Sequence, residues 1–169
     1  MDGAAGSPEP PEWHERSTLP AELIEVLRRP PGGFVAVIAT VDVDGSPRTA
    51  TFGVLRAPSP TVLRFGCRRT HTTFANIERD GRVMVALHAA PGLAVGIRGR
   101  AHVAASEIAA MPTNALIEVA VEAVKNDAVP QLPITDGAAY AASAEMAAQL
   151  TAVAAELDTR SVARGPGTG

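Results

Sequence analysis

Cysteine occurs once in this chain, at Cys67. That excludes an internal disulfide, and without a CxxC or Cys/His finger spacing it also excludes structural zinc. Lysine also occurs once, at Lys125, against 14 arginines. With abundant alanine, that imbalance reads as genomic GC bias before it reads as function. The net charge is −3, which argues against a nucleic-acid partner held by bulk electrostatics. No apolar run approaches the roughly 18 residues of a membrane span. Met1–Glu15 has neither a basic start nor an apolar stretch, so a signal peptide is not expected and the cytoplasm is the expected compartment. GxGxxG and P-loop signatures are missing, which removes Rossmann and nucleoside-triphosphate sites. The histidines, His14, His71, His88 and His102, do not cluster with carboxylates at ligand spacing, so no metal is expected. No G-x-S-x-G element, Cys/His pair or close carboxylate pair supports hydrolase chemistry.

What is there is globular. The 169 residues are 46% hydrophobic and 20% charged, enough for one domain. The expected layout is a flexible arm over 1–18, one domain over 19–160 and a loose tail over 161–169. Trp13 stands out in the arm, and a large aromatic there docks either on its own domain or as a lid over a ligand. Pro20–Arg29 fits a short helix, with Leu23, Ile24 and Leu27 on one face. From Phe34 the period becomes two: Val35, Val37, Ala39 and Val41 share a face, and Asp44-Gly45 supplies a hairpin turn. Further strands are expected over Arg48–Arg56, Thr61–Cys67, Arg82–His88, Ala94–Ala104 and Ala115–Ala123. Pro91-Gly92 marks the turn before Ala94. Helical spacing covers Thr72–Arg79, ended by Asp80-Gly81. Asp127–Gly137 reads as a loop. Ser143 caps a last helix whose Met146, Leu150, Val153 and Leu157 form one stripe. Six hairpin-linked strands with peripheral helices define an antiparallel barrel or sandwich, not a βαβ fold.

The segment Arg68-Arg69-Thr70-His71-Thr72-Thr73 carries the most chemistry. It lies between a strand and a helix start, where unpaired amides favour an anion. Its guanidinium and hydroxyl donors suit phosphate. The competing reading is that Thr70 or Thr72 caps the helix while the arginines face solvent. Cys67, a lone strand cysteine, reads as inert packing.

The stretch Phe34 to Thr51, then Leu63–Cys67, the Arg/Thr turn, Phe74–Val83 and Gly99–Ala101, resembles in order and spacing the pyridoxamine 5′-phosphate oxidase-like, FMN-binding split-barrel family. The resemblance spans Leu19 to Arg160. It implies a split β-barrel and a homodimer with flavin sites at the subunit interface. It further implies that Arg48, Thr49, Ala50 and Thr51 run beside the flavin ring or phosphate. Gly66, Cys67, Arg69, Thr70, Thr72 and Thr73 would then face the phosphate end. Family members that oxidise pyridoxamine phosphate carry Ser-Arg-Lys at the turn, where this chain has Thr70-His71-Thr72. They also carry a C-terminal Arg/Trp segment without counterpart in Ser161–Gly169. The resemblance therefore implies a broader FMN-dependent oxidoreductase acting on a small molecule. A deazaflavin-dependent reductase of the same fold is the first alternative. A non-catalytic flavin or haem carrier is the second, with His71 or His88 as the axial ligand.

Overall fold

The structure is a computed structural model and describes residues 13–90 and 92–161. Most of the expected arm, the end of the tail and Pro91 lie outside the described residues. Eight strands and three helices follow one another as β1 (Glu15–Arg16), α1 (Ala21–Leu27), β2 (Ala36–Val41), β3 (Pro47–Phe52), β4 (Leu55–Ser59), β5 (Val62–Arg68), α2 (Thr72–Arg79), β6 (Arg82–Ala89), β7 (Leu93–Ala105), β8 (Asn114–Asn126) and α3 (Ala144–Thr159). All strand pairs are antiparallel, in the order β3-β2-β6-β7-β8-β5-β4, with β1 added to β8.

The expected strand Arg48–Arg56 is two strands. Gly53 and Val54 break it, and the halves pair with different partners, β3 with β2 and β4 with β5. β3 and β4 thus sit at opposite ends of the strand order, yet only two residues join them. Three Cα–Cα steps reach at most about 11 Å. The sheet therefore curls until its ends meet at this corner, open in its hydrogen bonding but barrel-like in shape. Phe52 of β3 and Phe65 of β5 close the gap edge to face, with ring centroids 4.8 Å apart.

The core fills the barrel with Phe34, Ile38, Leu55, Leu63, Phe65, Leu87, Ile97 and Ile117, among others. On β2 the inward residues are Ala36, Ile38 and Thr40, so the β-branched set at Val35, Val37 and Val41 takes the outer face. The β2–β3 turn places Gly45 at φ +84°, a region that favours glycine. α2 ends as the spacing predicts, but Asp80 is extended and Gly81 is not left-handed. Gly81 is there for space, since a Cβ would lie 2.5 Å from the Ala101 carbonyl oxygen.

α3 covers the outside of β4 and β5, but only through its second half. Val153, Ala154 and Leu157 are buried over Ile108 and Leu116, whereas Met146 is 42% exposed. Trp13 docks on its own domain. Its Nε1 donates to Glu22 at 2.9 Å, and its carbonyl accepts from Asn126 Nδ2 at 3.1 Å.

Two arginines are buried on the β4–β5 seam. Arg64 donates through Nη1 to the carbonyls of Leu157 (3.0 Å) and Arg160 (2.9 Å) and through Nε to Glu118 (3.0 Å). Arg56 lies directly opposite in the register. It donates to the Leu27 and Arg29 carbonyls and pairs with Asp158 at 3.5 Å. Each cation caps a helix C-terminus, where orphan carbonyls and the dipole favour positive charge.

Candidate cofactor site

β3 ends the strand order, so one of its edges has no strand partner. Alternate backbone N–H and C=O groups on that edge are open to a ligand. Register places Thr49 opposite Ala39, which faces Met84, which faces Arg98; Thr51 lies opposite Val37, then Ala86 and Gly96. Thr49 and Thr51 are exposed, and their hydroxyls have no hydrogen-bond partner among the described residues. The outer sheet face thus carries two free hydroxyls beside a floor of small residues. At the Pro47 end of this row lies a cleft of about 440 Å³ lined by Met84, Arg82, Arg98, Arg100 and Glu122. Arg98 and Arg100 share Glu122, each at 3.6 Å, which leaves the cleft rich in positive charge.

Arg48, Ala50 and Phe52 alternate onto the other side of β3. The Arg48 Nε binds Asp42 at 2.5 Å and holds the Asp42 carboxyl below its usual range. A buried relay fixes α2 against this hairpin. Asn76 Nδ2 donates to Thr40 Oγ1 (3.0 Å), both terminal nitrogens of Arg79 donate to Asn76 Oδ1 (3.1 Å), and Thr40 Oγ1 donates to the Arg48 carbonyl (3.4 Å). α2 also packs on β5, so it brings the Arg/Thr turn and β3 onto one side of the barrel.

At the turn itself, neither threonine caps the helix. His71 is the N-cap, and its Nδ1 accepts from the Thr73 amide at 3.3 Å. Thr73 is buried with its hydroxyl 3.0 Å from His71 Nδ1, so it offers nothing outward. Thr70 and Thr72 are exposed with free hydroxyls among the described residues, and the Arg68 guanidinium is likewise exposed and unbonded. Arg69 is anchored. Its Nη1 donates to the carbonyls of Ser106 (2.8 Å) and Pro112 (2.7 Å), which holds the 106–113 loop and leaves Nη2 and Nε open. Gly66 is covered, since a Cβ there would sit 2.9 Å from Ile108 Cδ1.

Cys67 faces the core, and burial pushes its thiol up to about 11. It is therefore expected to resist thiol reagents at mildly alkaline pH in the folded chain and to react fully in denaturing urea. The raised folded pKa also has a linkage consequence. The thiol favours the folded state below the ordinary thiol range, and that contribution is lost as pH climbs through about 11. Equal labelling rates in folded and unfolded protein would contradict this placement.

His71 is committed to its cap and His88 is exposed on β6, and no group of three or more His, Cys, Asp or Glu residues among those described could hold a metal ion. No described helix is long and apolar enough to cross a membrane. Sequence reasoning missed the Thr40–Asn76–Arg79 relay, because a buried asparagine and threonine look the same in sequence as exposed ones.

No protein-family model matches the chain, and no curated protein matches it. Solved structures do. A pyridoxamine 5′-phosphate oxidase-like protein from Lactobacillus delbrueckii is 19% identical, with a TM-score of 0.56 over 66% of this chain and 98% of its own. A point variant of HupZ from group A Streptococcus is 21% identical, with a TM-score of 0.54 over 64% and 98%. An F420 reductase is 18% identical, with a TM-score of 0.50 over 63% and 98%. At these identities the likeness is one of fold. The chain has the pyridoxamine 5′-phosphate oxidase-like split-barrel fold, an α+β architecture of antiparallel sheet with three helices.

Proposed function

We propose that the protein is an FMN-binding, flavin-dependent oxidoreductase that acts on a small molecule. The observation that carries this is the open edge of β3. A planar heterocycle with amide-like edges pairs naturally with the unpaired backbone groups of a terminal strand, and Thr49, Ala50 and Thr51 supply them here. The donor set fits the other end of FMN. Thr70 and Thr72 offer free hydroxyls, Arg69 offers the free side of an anchored guanidinium, and the Thr72 amide at the start of α2, unbonded among the described residues, lies alongside. The flavin supplies hydride or electron transfer when bound. The chain's own residues orient it and balance its charge. No side chain at the site is required as an acid or base.

The proposal includes a homodimer. The outer face of β2, β6 and β7 presents Ala39, Met84, Ala86 and Gly96 amid charges of both signs, a surface suited to a second copy. Light scattering at micromolar concentration is expected to give twice the protomer mass, and a monomer mass would remove the interfacial site.

The cofactor is tested by the visible spectrum of protein purified without added cofactor, followed by titration with FMN. A flavin spectrum or stoichiometric FMN uptake supports the reading. A deazaflavin spectrum keeps the site and changes the cofactor, in line with the fold shared with an F420 reductase. A haem band, or no chromophore and no FMN uptake, overturns it.

A further inference from the structure

The apolar stripe of α3 is continuous in sequence, but only half of it is used. Val153 and Leu157 are buried, while Met146 and Leu150 turn toward a cavity of about 370 Å³ at the β3–β4 corner. Gly53, Val54, Tyr140 and Ser143 complete its principal walls, and no charged residue among those described lines it. Tyr140 packs against the corner through one edge of its ring. A Cβ on Gly53 would fall 2.5 Å from two of its ring carbons, so glycine alone lets the ring approach. The Tyr140 amide donates to the Gly32 carbonyl at 3.2 Å, which ties the ring's backbone to the barrel. The phenol is different. Its hydroxyl has no partner among the described residues, and the side chain is 44% exposed beside Met146. Gly53 also follows directly on the end of β3, two residues beyond Thr51, a proposed flavin neighbour.

We propose that this cavity binds a neutral, planar, apolar ring bearing one hydrogen-bonding oxygen, and that it is the substrate's ring site. The apolar walls, Val54, Met146 and Leu150 among them, remove ring area from water. Tyr140 Oη supplies the single directional contact, to a phenolic or carbonyl oxygen of the ligand. An anionic ligand of the same shape meets no countercharge there and is disfavoured by desolvation. Ring binding stands on the cavity alone; its role as the substrate site rests on the flavin reading.

The test uses the full chain and equilibrium dialysis with 1-naphthol, naphthalene and 1-naphthoate. 1-Naphthol is expected to bind at least about tenfold tighter than 1-naphthoate. Met146→Trp fills the cavity from an exposed position and is expected to weaken 1-naphthol at least about tenfold with an unchanged thermal midpoint. Tyr140→Phe is expected to weaken 1-naphthol several-fold and leave naphthalene unaffected, a split that a packing role for the ring would not produce. Equal binding of the neutral and anionic probes, or Met146→Trp behaving as wild type, overturns the site. FMN titrated in parallel separates the two readings. FMN uptake without 1-naphthol binding removes the cavity proposal and keeps the flavin. 1-Naphthol binding without FMN uptake keeps the ring site and removes its substrate role. In the FMN-loaded protein, bound 1-naphthol is expected to perturb the flavin spectrum, and an unchanged spectrum overturns the placement beside the flavin.

Discussion

Arg64→Ala is expected to destabilise the chain by about 3–5 kcal/mol, the usual loss when one partner of a buried ionic network is removed. The guanidinium it deletes serves the Leu157 and Arg160 carbonyls and the Glu118 carboxylate together, at a residue only 9% exposed. Truncation leaves two carbonyls and a partly buried carboxylate without their donor. At about 2–4 °C per kcal/mol for a domain of this size, the thermal midpoint should fall by roughly 10 °C. Arg64→Lys keeps the charge but not the fork, since a lysine cannot span three acceptors in this geometry. It is expected to recover less than half the loss. Urea unfolding followed by circular dichroism measures both. A loss under about 1 kcal/mol for Arg64→Ala would mean that α3 is held by Val153 and Leu157 alone, at the low cost typical of exposed ion pairs.

Arg69→Ala is expected to lower FMN affinity about ten- to hundredfold, equivalent to about 1.5–3 kcal/mol for a charge-assisted hydrogen bond, and to leave riboflavin affinity nearly unchanged. Riboflavin lacks the phosphate, so it is blind to that guanidinium. Because Arg69 Nη1 also holds the Ser106 and Pro112 carbonyls, the variant should lose some stability as well. That loss alone would weaken both ligands equally, so the ratio of the two affinities isolates the phosphate contact. Thr70→Ala and Thr72→Ala remove neutral donors and are expected to cost less. An Arg69→Ala protein whose FMN-to-riboflavin ratio matches wild type would reduce Arg69 to a strut for the 106–113 loop.

The fold was legible where period and punctuation agree. β6, α2 and the start of α3 follow directly from alternation, helical spacing and the Ser143 cap. The break at Gly53-Val54 was not legible. A run that alternates through Arg48–Arg56 does not reveal that its two halves pair with opposite ends of a sheet, because that is a property of closure. Nor did alternation say which face of β2 points inward. The bulky Val35, Val37 and Val41 mark strand propensity, but the barrel interior at that level takes the smaller Ala36 and Thr40 with Ile38. For the site, sequence singled out the Arg/Thr turn and the β3 residues, and the structure leaves Thr49, Thr51, Thr70 and Thr72 outward and unbonded. It turns Cys67 and Thr73 inward, which strand and helix phase alone imply only once both neighbours are known. The half-used stripe of α3 was visible as a stripe, but its unburied half needed the corner and Tyr140 to acquire a meaning.

The facing pair Arg56 and Arg64 also bears on how the chain is made. Its cations lie on neighbouring strands in the first half of the sequence; Glu118 of β8 and the end of α1 supply some of their acceptors, and the end of α3 supplies the rest. Arg56 needs α1 and Asp158, and Arg64 needs Leu157 and Arg160. A nascent chain that has emerged only through β8 would hold two like charges side by side on a seam still lacking its last helix. Closing the barrel then would leave Arg64 with Glu118 but without its two carbonyl acceptors, and Arg56 with the α1 carbonyls but without Asp158. The seam gains its full set of acceptors only when the sequence to about Arg160 has been released, which makes its completion a late event in synthesis.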